Sequence, residues 1–132
     1  MYSGTVGAAT EAAFQGVPAA AFSEGTGKGY LVTDRWLEEV LEEVMGADIG
    51  TDRIMNVNFP TCSPDEIRGI LRNRTVSDTC IFKDSYERIV QSDGTVTYMV
   101  RGAYKEDAEE GSDLRALFDK YISIGFVNRK MG

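Results

Sequence analysis

The sequence has 132 residues, enough for one hydrophobic core and too few for two ordinary domains, so we expect one globular unit. It carries 14 Lys and Arg against 21 Asp and Glu, for a net charge of -7, and its scattered basic residues disfavour binding to a nucleic-acid backbone. It contains no histidine, which excludes Ser-His-Asp and Cys-His catalysis and histidine-based zinc sites within this sequence.

Small and hydroxyl residues stand ahead of an Ala-rich segment near the start of the sequence. Ser3, Gly4 and Thr5 lead into a predicted helix over residues 5–14. The first backbone N–H groups of a helix lack intrahelical partners, and the helix dipole is positive there. The three residues are therefore a candidate phosphate-binding site. A purely structural interpretation stays open, because Ser and Thr are also common helix N-caps.

A strand and a second helix are predicted next. The short apolar run 19–23 favours a buried parallel strand over an edge strand, and the order helix then strand predicts a further strand upstream. Residues 25–29 contain a Gly-Lys pair without the spacing of a P-loop, so we interpret them as a crossover loop. Apolar residues at helical spacing predict an amphipathic helix over residues 30–45. Its acidic residues predict a solvated face rather than a cation site: Glu38, Glu39, Glu42 and Glu43.

A third strand is predicted over residues 54–59, where Pro60 stops it. Asn56 and Asn58 then point to the same side of the strand. An Asn-x-Asn pair at the end of a parallel strand can contact a ligand. Asn also satisfies loop backbone at such positions, so both interpretations stay open.

The second half of the sequence is rich in predicted strands. They cover residues 67–72, 86–90 and 95–101. The Asp93-Gly94 pair predicts a hairpin turn between the last two strands. Because a two-stranded hairpin is marginally stable alone, we expect this arm to lie on the core or on a second subunit. The acidic run 105–111 lacks the order of a calcium loop and predicts a surface loop, followed by a short helix over 114–119 and a strand over 121–124.

Neither targeting nor redox chemistry is indicated. No charged segment followed by an apolar run opens the sequence, and no apolar run approaches membrane-spanning length, so we expect a cytoplasmic protein without membrane contact. Cys62 and Cys80 lie eighteen positions apart without a CxxC motif, which favours buried or incidental thiols.

Several segments carry a family resemblance. They are residues 2–6, 16–19, 56–60, 111–113 and 121–124. In this order they resemble the SurE family (survival protein E) of metal-dependent 5'-nucleotidases. Two departures stand near the C-terminus, where Lys120 replaces a usual Gly and Gly125 with Phe126 replaces a usual Thr-Pro.

The resemblance implies an α/β fold. This chain would be the C-terminal part of a Rossmann-like, mainly parallel sheet sandwiched by helices, with a β-hairpin arm and a terminal helix and strand. Residues 1–132 would form a single domain fragment, with a core portion over 1–62 and the oligomerisation arm and C-terminal helix-strand over 63–132. The 56–60 segment is similar to one that closes the core sheet in the family.

The same resemblance implies hydrolysis of nucleoside 5'-monophosphates, with Mg²⁺ or Mn²⁺ held by an adjacent Asp pair, a Ser and an Asn. Those ligands lie upstream of the segment that this chain resembles, so we expect no metal ligand and no catalytic residue here, and no activity from this chain alone. The chain would supply phosphate-binding Ser3, Gly4 and Thr5, and an arm that forms homodimers or tetramers. Three interpretations stay open: a portion of a nucleotidase, a non-catalytic binding or assembly module from that family, and an unrelated α/β domain.

Overall fold

A computed structural model describes residues 4–25, 29–77, 82–104 and 108–128. In these ranges the helices are α1 (Gly4–Phe14), α2 (Leu31–Met45) and α3 (Asp113–Phe118). The strands are β1 (Ala20–Glu24), β2 (Arg53–Phe59), β3 (Gly69–Arg74), β4 (Phe82–Val90), β5 (Val96–Tyr104) and β6 (Tyr121–Asn128). A 3-10 turn, Pro64–Glu66, precedes β3. No helix in the described ranges combines the length and apolar character needed to cross a membrane.

Four of the described strands form a mixed sheet in the order β1-β2-β6-β3. The pairs β1/β2 and β3/β6 are parallel and the pair β2/β6 is antiparallel. The predicted α/β class with a mainly parallel sheet is therefore confirmed. β6 returns between β2 and β3, so β2 lies inside this sheet and does not close it. Two strands from the 63–132 portion thus belong to the core sheet.

Side chains along a strand alternate between the two faces of the sheet, so each face has its own set of apolar residues. A helix covers each face. On one face α1 presents small residues, Ala9 and Ala13, which pack against Ala21 of β1 and Ile54 of β2. On the other face α2 packs against β1 and β2, and the apolar cluster beneath it extends to β6. Its cluster includes Val32, Val40, Val44, Met55, Val57, Phe59, Ile122 and Ile124.

The helix α2 matches the predicted amphipathic helix, but its apolar stripe is wider than its buried face. Leu37 and Leu41 remain 37% and 40% exposed. On the opposite flank Glu43 forms an ion pair with Arg72 of β3, so the Leu37 and Leu41 flank points away from β3. Glu38, Glu39 and Glu42 are exposed, as predicted for a solvated face.

The predicted strand at residues 19–23 is confirmed as β1. β1 pairs in parallel with β2, but it has a neighbour on only one side among the described strands. Ala21 is its buried residue and the other four are half-buried. That a further strand lies on the other side of β1 stays a prediction.

β4 and β5 form a separate antiparallel sheet, which confirms the predicted hairpin. Gly94 adopts a positive φ of 89° in the turn. The Gln91 N–H donates to the Thr95 carbonyl at 2.7 Å, and the Thr95 N–H donates to Asp93 Oδ1 at 2.9 Å. Hydrogen bonds from the Thr95 side chain and, next in size, from the Thr95 N–H hold the pKa of the Asp93 carboxyl below its usual range.

The base of the arm is tied to the start of α3. Ser112 is the N-cap of α3 and bridges to Thr75, which follows β3. Asp113 Oδ1 accepts hydrogen bonds from the Ser77 N–H at 2.9 Å and the Leu114 N–H at 2.8 Å. The chain leaving the sheet and the chain returning to it are thus joined.

The two C-terminal departures from the family pattern have local structural correlates. A Cβ on Gly125 would lie 1.9 Å from the Arg74 carbonyl oxygen, because β3 shifts register beside β6. Gly125 therefore permits the close approach of the two strands. Lys120 adopts a φ of 66° after α3, a conformation that favours glycine.

Candidate functional site

The structure places two of the three predicted phosphate-binding residues in the first turn of α1. Gly4 and Thr5 are exposed, and a Cβ on Gly4 would have no atom within 4 Å. The first turn carries no acidic residue. Ser3 lies outside the described residues. An anion can therefore approach the unpaired N–H groups of this turn without meeting a carboxylate or a bulky side chain there.

The start of α1 lies at the end of the sheet where β1 and β2 finish. A short connection joins α1 to β1, and α1 packs on the sheet face formed by β1 and β2. The chain must therefore reverse between α1 and β1, so the helix runs antiparallel to these two strands. From Ala13 back to Gly4 the helix rises by about 13 Å. From Ile54 to Asn58 the strand climbs by about 13 Å. Gly4 and Asn58 therefore lie at similar heights along the sheet.

A row of polar side chains crosses the sheet at that end. Asn58 of β2 is in register with Ser23 of β1 on one side and with Ser123 of β6 on the other. By alternation, the row lies on the face that Ile54 shares with α1. Ser123 is 1% exposed, and its Oγ has no hydrogen-bond partner. Asn58 is half-buried, and its Nδ2 is likewise buried and unpartnered.

The two asparagines share one face of β2, as their spacing predicted. Asn56 is 8% exposed and is in register with Gly125 of β6. Sequence reasoning missed Ser123, which is a single polar residue within an apolar strand. An isolated polar residue in a buried strand is the signal that could have identified it.

Glu24 is a second residue that the sequence did not single out. It ends β1, and its Oε1 accepts a hydrogen bond from the Thr33 N–H at 3.0 Å. The other oxygen, Oε2, is buried without a partner. Since Tyr30, the N-cap of α2, makes no side-chain cap bond, Glu24 performs that capping role from a neighbouring element.

The residues near the start of α1 do not fit a divalent cation. No group of three or more Cys, Asp or Glu side chains in the described ranges could hold a metal ion. The donors at the start of α1 are backbone N–H groups and a hydroxyl, which suit an anion. Residues 26–28 of the Gly-Lys loop and residues 105–107 of the acidic run lie outside the described residues, so the structure does not test those two interpretations.

A family profile described as "Survival protein SurE" matches residues 1–80. The chain belongs to the SurE family. A "5'-nucleotidase SurE" from Clostridium botulinum (strain ATCC 19397 / Type A) is 28% identical over 128 residues, which cover 94% of this chain and 50% of the relative. A protein of the same name from Trichodesmium erythraeum (strain IMS101) is 30% identical over 135 residues, which cover 93% of this chain and 50% of the relative.

The crystal structure of the SurE protein from Aquifex aeolicus superposes with a TM-score of 0.78 at 26% identity. The match covers 99% of this chain and 53% of that chain. The SurE fold is therefore confirmed, and the interpretation as an unrelated α/β domain is wrong. The chain spans about half the length of the curated SurE relatives it matches. The phosphate-binding roles of Ser3, Gly4 and Thr5 stay predictions.

Proposed function

We propose that this chain is part of a SurE-type nucleotidase that hydrolyses nucleoside 5'-monophosphates. In this proposal Ser3, Gly4 and Thr5 bind the phosphate group, and the ligands of a divalent cation, Mg²⁺ or Mn²⁺, come from outside this chain. The observation that carries the proposal is the open first turn of α1, with exposed Gly4 and Thr5 and no acidic residue.

The chemistry of that turn favours a phosphate group. Unpaired N–H groups and the helix dipole each stabilise negative charge, and the dipole contributes about 0.3–1 kcal/mol at an exposed helix start. The Thr5 hydroxyl adds a donor, and Gly4 leaves space for a phosphate oxygen beside the backbone. These groups bind and orient the phosphate and stabilise charge on its oxygens.

Hydrolysis also requires a group that activates water, which a divalent cation supplies in metal-dependent hydrolases. Since the described residues do not form such a site, we assign no bond-breaking step to them. We therefore propose that the chain has no nucleotidase activity alone. A protein that contains both the phosphate site and the cation ligands would be active.

We further propose that the β4–β5 hairpin mediates homodimer or tetramer formation. The hairpin forms its own two-stranded sheet and pairs with no strand of the described core sheet. Because a two-stranded sheet is marginally stable in water, a contact with another subunit would stabilise it.

A second candidate function is a non-catalytic binding or assembly module of the SurE family. It is favoured by the absence of a metal-holding group among the described residues. In that case the phosphate site and the hairpin would act without hydrolysis.

Phosphate binding at α1 can be tested by nuclear magnetic resonance. Titration of the chain with orthophosphate should shift the backbone amides of Gly4 and Thr5 in a saturable manner. The Gly16 amide, at the far end of α1, is the internal control and should not move. The Thr5→Val variant lacks the hydroxyl and should bind phosphate about tenfold more weakly, the value of one hydrogen bond to a charged group. A titration without saturable shifts at Gly4 and Thr5 would contradict the proposal.

The two candidate functions differ in a complementation assay. The half of the Trichodesmium erythraeum relative that this chain does not match is added as a separate chain with Mn²⁺, and phosphate release from AMP is measured. Release above the level of either chain alone supports a portion of a nucleotidase. No release favours the non-catalytic module.

A further inference from the structure

We propose that the Asn58 side-chain amide and the Ser123 hydroxyl form the floor of the phosphate site and donate hydrogen bonds to phosphate oxygens. This inference deepens the proposed function and rests on it, because it extends the site from the start of α1 to the face of the sheet. It adds two side chains, from β2 and β6, to the donors of the helix.

The side-chain groups of Asn58 and Ser123 are both unpaired. Buried polar atoms in proteins nearly always have a hydrogen-bond partner, and an unpaired one is costly. Asn58 Nδ2 and Ser123 Oγ are buried without a partner on two neighbouring strands. They are direct register partners, yet no hydrogen bond joins them. A third group that bonds to both would satisfy them together.

The hydrogen-bonding character of Asn58 and Ser123 defines the type of partner that they lack. Asn58 Nδ2 is only a donor, so its partner must be an acceptor. The Ser123 hydroxyl can donate to the same acceptor. Their register neighbour on β1, Ser23, is also neutral, so the polar row contains no carboxylate. A phosphate oxygen accepts several hydrogen bonds and meets this requirement.

The polar row also lies close to the start of α1. The polar row lies on the sheet face that packs against α1, at the end of the sheet where α1 begins. Asn58 is half-buried and Ser123 is 1% exposed, so Asn58 is the more accessible of the two. Gly4 and Asn58 lie at similar heights, so an anion at the helix start is next to the row.

The test follows the Asn58 side-chain NH₂ resonances while orthophosphate is added to the chain. We expect them to shift with the same half-saturation as the Gly4 and Thr5 backbone amides. The side-chain amide of Gln15 is the matched control, because it lies at the far end of α1 and donates to Glu11 at 3.0 Å. Its resonances should not move.

Variants separate a binding role from a structural one. Asn58→Ala and Ser123→Ala should each weaken phosphate binding about tenfold, the value of one hydrogen bond to a charged group. Asn58→Asp should abolish binding, because a carboxylate replaces the donor. Neither Ala substitution removes a protein hydrogen bond, so the melting temperature of Ser123→Ala should not fall.

The outcomes distinguish this inference from the function on which it rests. Shifts at Gly4 and Thr5 with a stationary Asn58 NH₂ overturn the inference and leave the helix site intact. No shift at any of these groups overturns both. Unchanged affinity in Ser123→Ala, together with a lower melting temperature, assigns Ser123 to the structure and also overturns the inference.

Discussion

The substitution Gly125→Ala tests the close approach of β3 and β6. Its Cβ would lie 1.9 Å from the Arg74 carbonyl oxygen and 2.9 Å from the Arg74 carbonyl carbon, whereas real Cβ contacts are essentially never shorter than 3.0 Å. Both atoms belong to the backbone, so β3 must move by about 1 Å, and no side-chain rotation relieves the contact. Overpacking of this kind costs about 1–3 kcal/mol. A weakened strand hydrogen bond adds about 1 kcal/mol, for a total of about 3 kcal/mol.

Urea unfolding followed by circular dichroism measures this cost, and calorimetry should show a melting temperature lower by about 10 °C. Gly7→Ala is the matched control, because Gly7 is exposed within α1 and its Cβ would have no atom within 4 Å. That substitution should stabilise the chain by about 0.5–1 kcal/mol, since Ala favours a helix over Gly. A Gly125→Ala variant within about 0.5 kcal/mol of the wild type would show that β3 and β6 do not approach so closely at this residue.

Further predictions concern the turn at Lys120, the hydrogen bonds of Asp113 at the start of α3, and the exposed surface of β1 and α2. Lys120→Gly relieves a positive φ of 66° but removes the exposed ion pair of Lys120 with Glu66. The net effect should be a rise of about 0.5 kcal/mol in the free energy of unfolding in urea, and a decrease would contradict this. Asp113→Ala should lower it by about 2 kcal/mol, because Ser77 N–H loses its acceptor, whereas Asp113→Asn keeps an acceptor. Burial raises the pKa of the Asp113 carboxyl, so the folded protein binds this proton more tightly than the unfolded chain does. The wild type should therefore gain stability relative to Asp113→Asn as pH falls through the folded pKa towards the unfolded pKa. If the free energies of unfolding of the two proteins changed in parallel with pH, this prediction would be wrong. The open edge of β1 and the exposed Leu37 and Leu41 predict self-association of the isolated chain, which Leu37→Lys with Leu41→Lys should reduce in sedimentation velocity; a monodisperse wild-type monomer would exclude this.

Local sequence signals predicted most of the elements of the fold. Helical spacing identified α2, and the run between breakers identified β1, each within one or two residues of its observed bounds. The Asp93-Gly94 pair identified the hairpin, since a positive φ in the turn is a local requirement. These features depend on neighbours in the sequence and are therefore visible in it.

The arrangement of the strands depends on distant pairing. β6 enters between β2 and β3, and β1 remains at the edge of the described sheet, yet neither fact changes the local periodicity of those strands. The close contact at Gly125 likewise arises from a register shift in another strand. Sequence reasoning could note the unusual Gly125 but not what it contacts.

The candidate site likewise contains residues that local sequence signals identify and residues that only distant strand pairing brings together. Gly4 and Thr5 could be selected from sequence, because a helix start has local signals. The meeting of Asn58 with Ser123 could not, because antiparallel pairing brings together residues that are far apart in the chain. Asn58 was singled out by its spacing from Asn56, whereas Ser123 had no such neighbour.

Phosphate binding at the start of α1 can be located directly with a heavy-atom anion. Crystals of the chain soaked in tungstate can be measured at the tungsten absorption edge. We expect an anomalous peak about 3 to 4 Å from the Gly4 and Thr5 amide nitrogens, the separation of a tetrahedral anion whose oxygens accept their hydrogen bonds. A map without a peak there, or with its strongest peak elsewhere, would contradict the proposal that this chain carries the phosphate-binding part of a SurE nucleotidase.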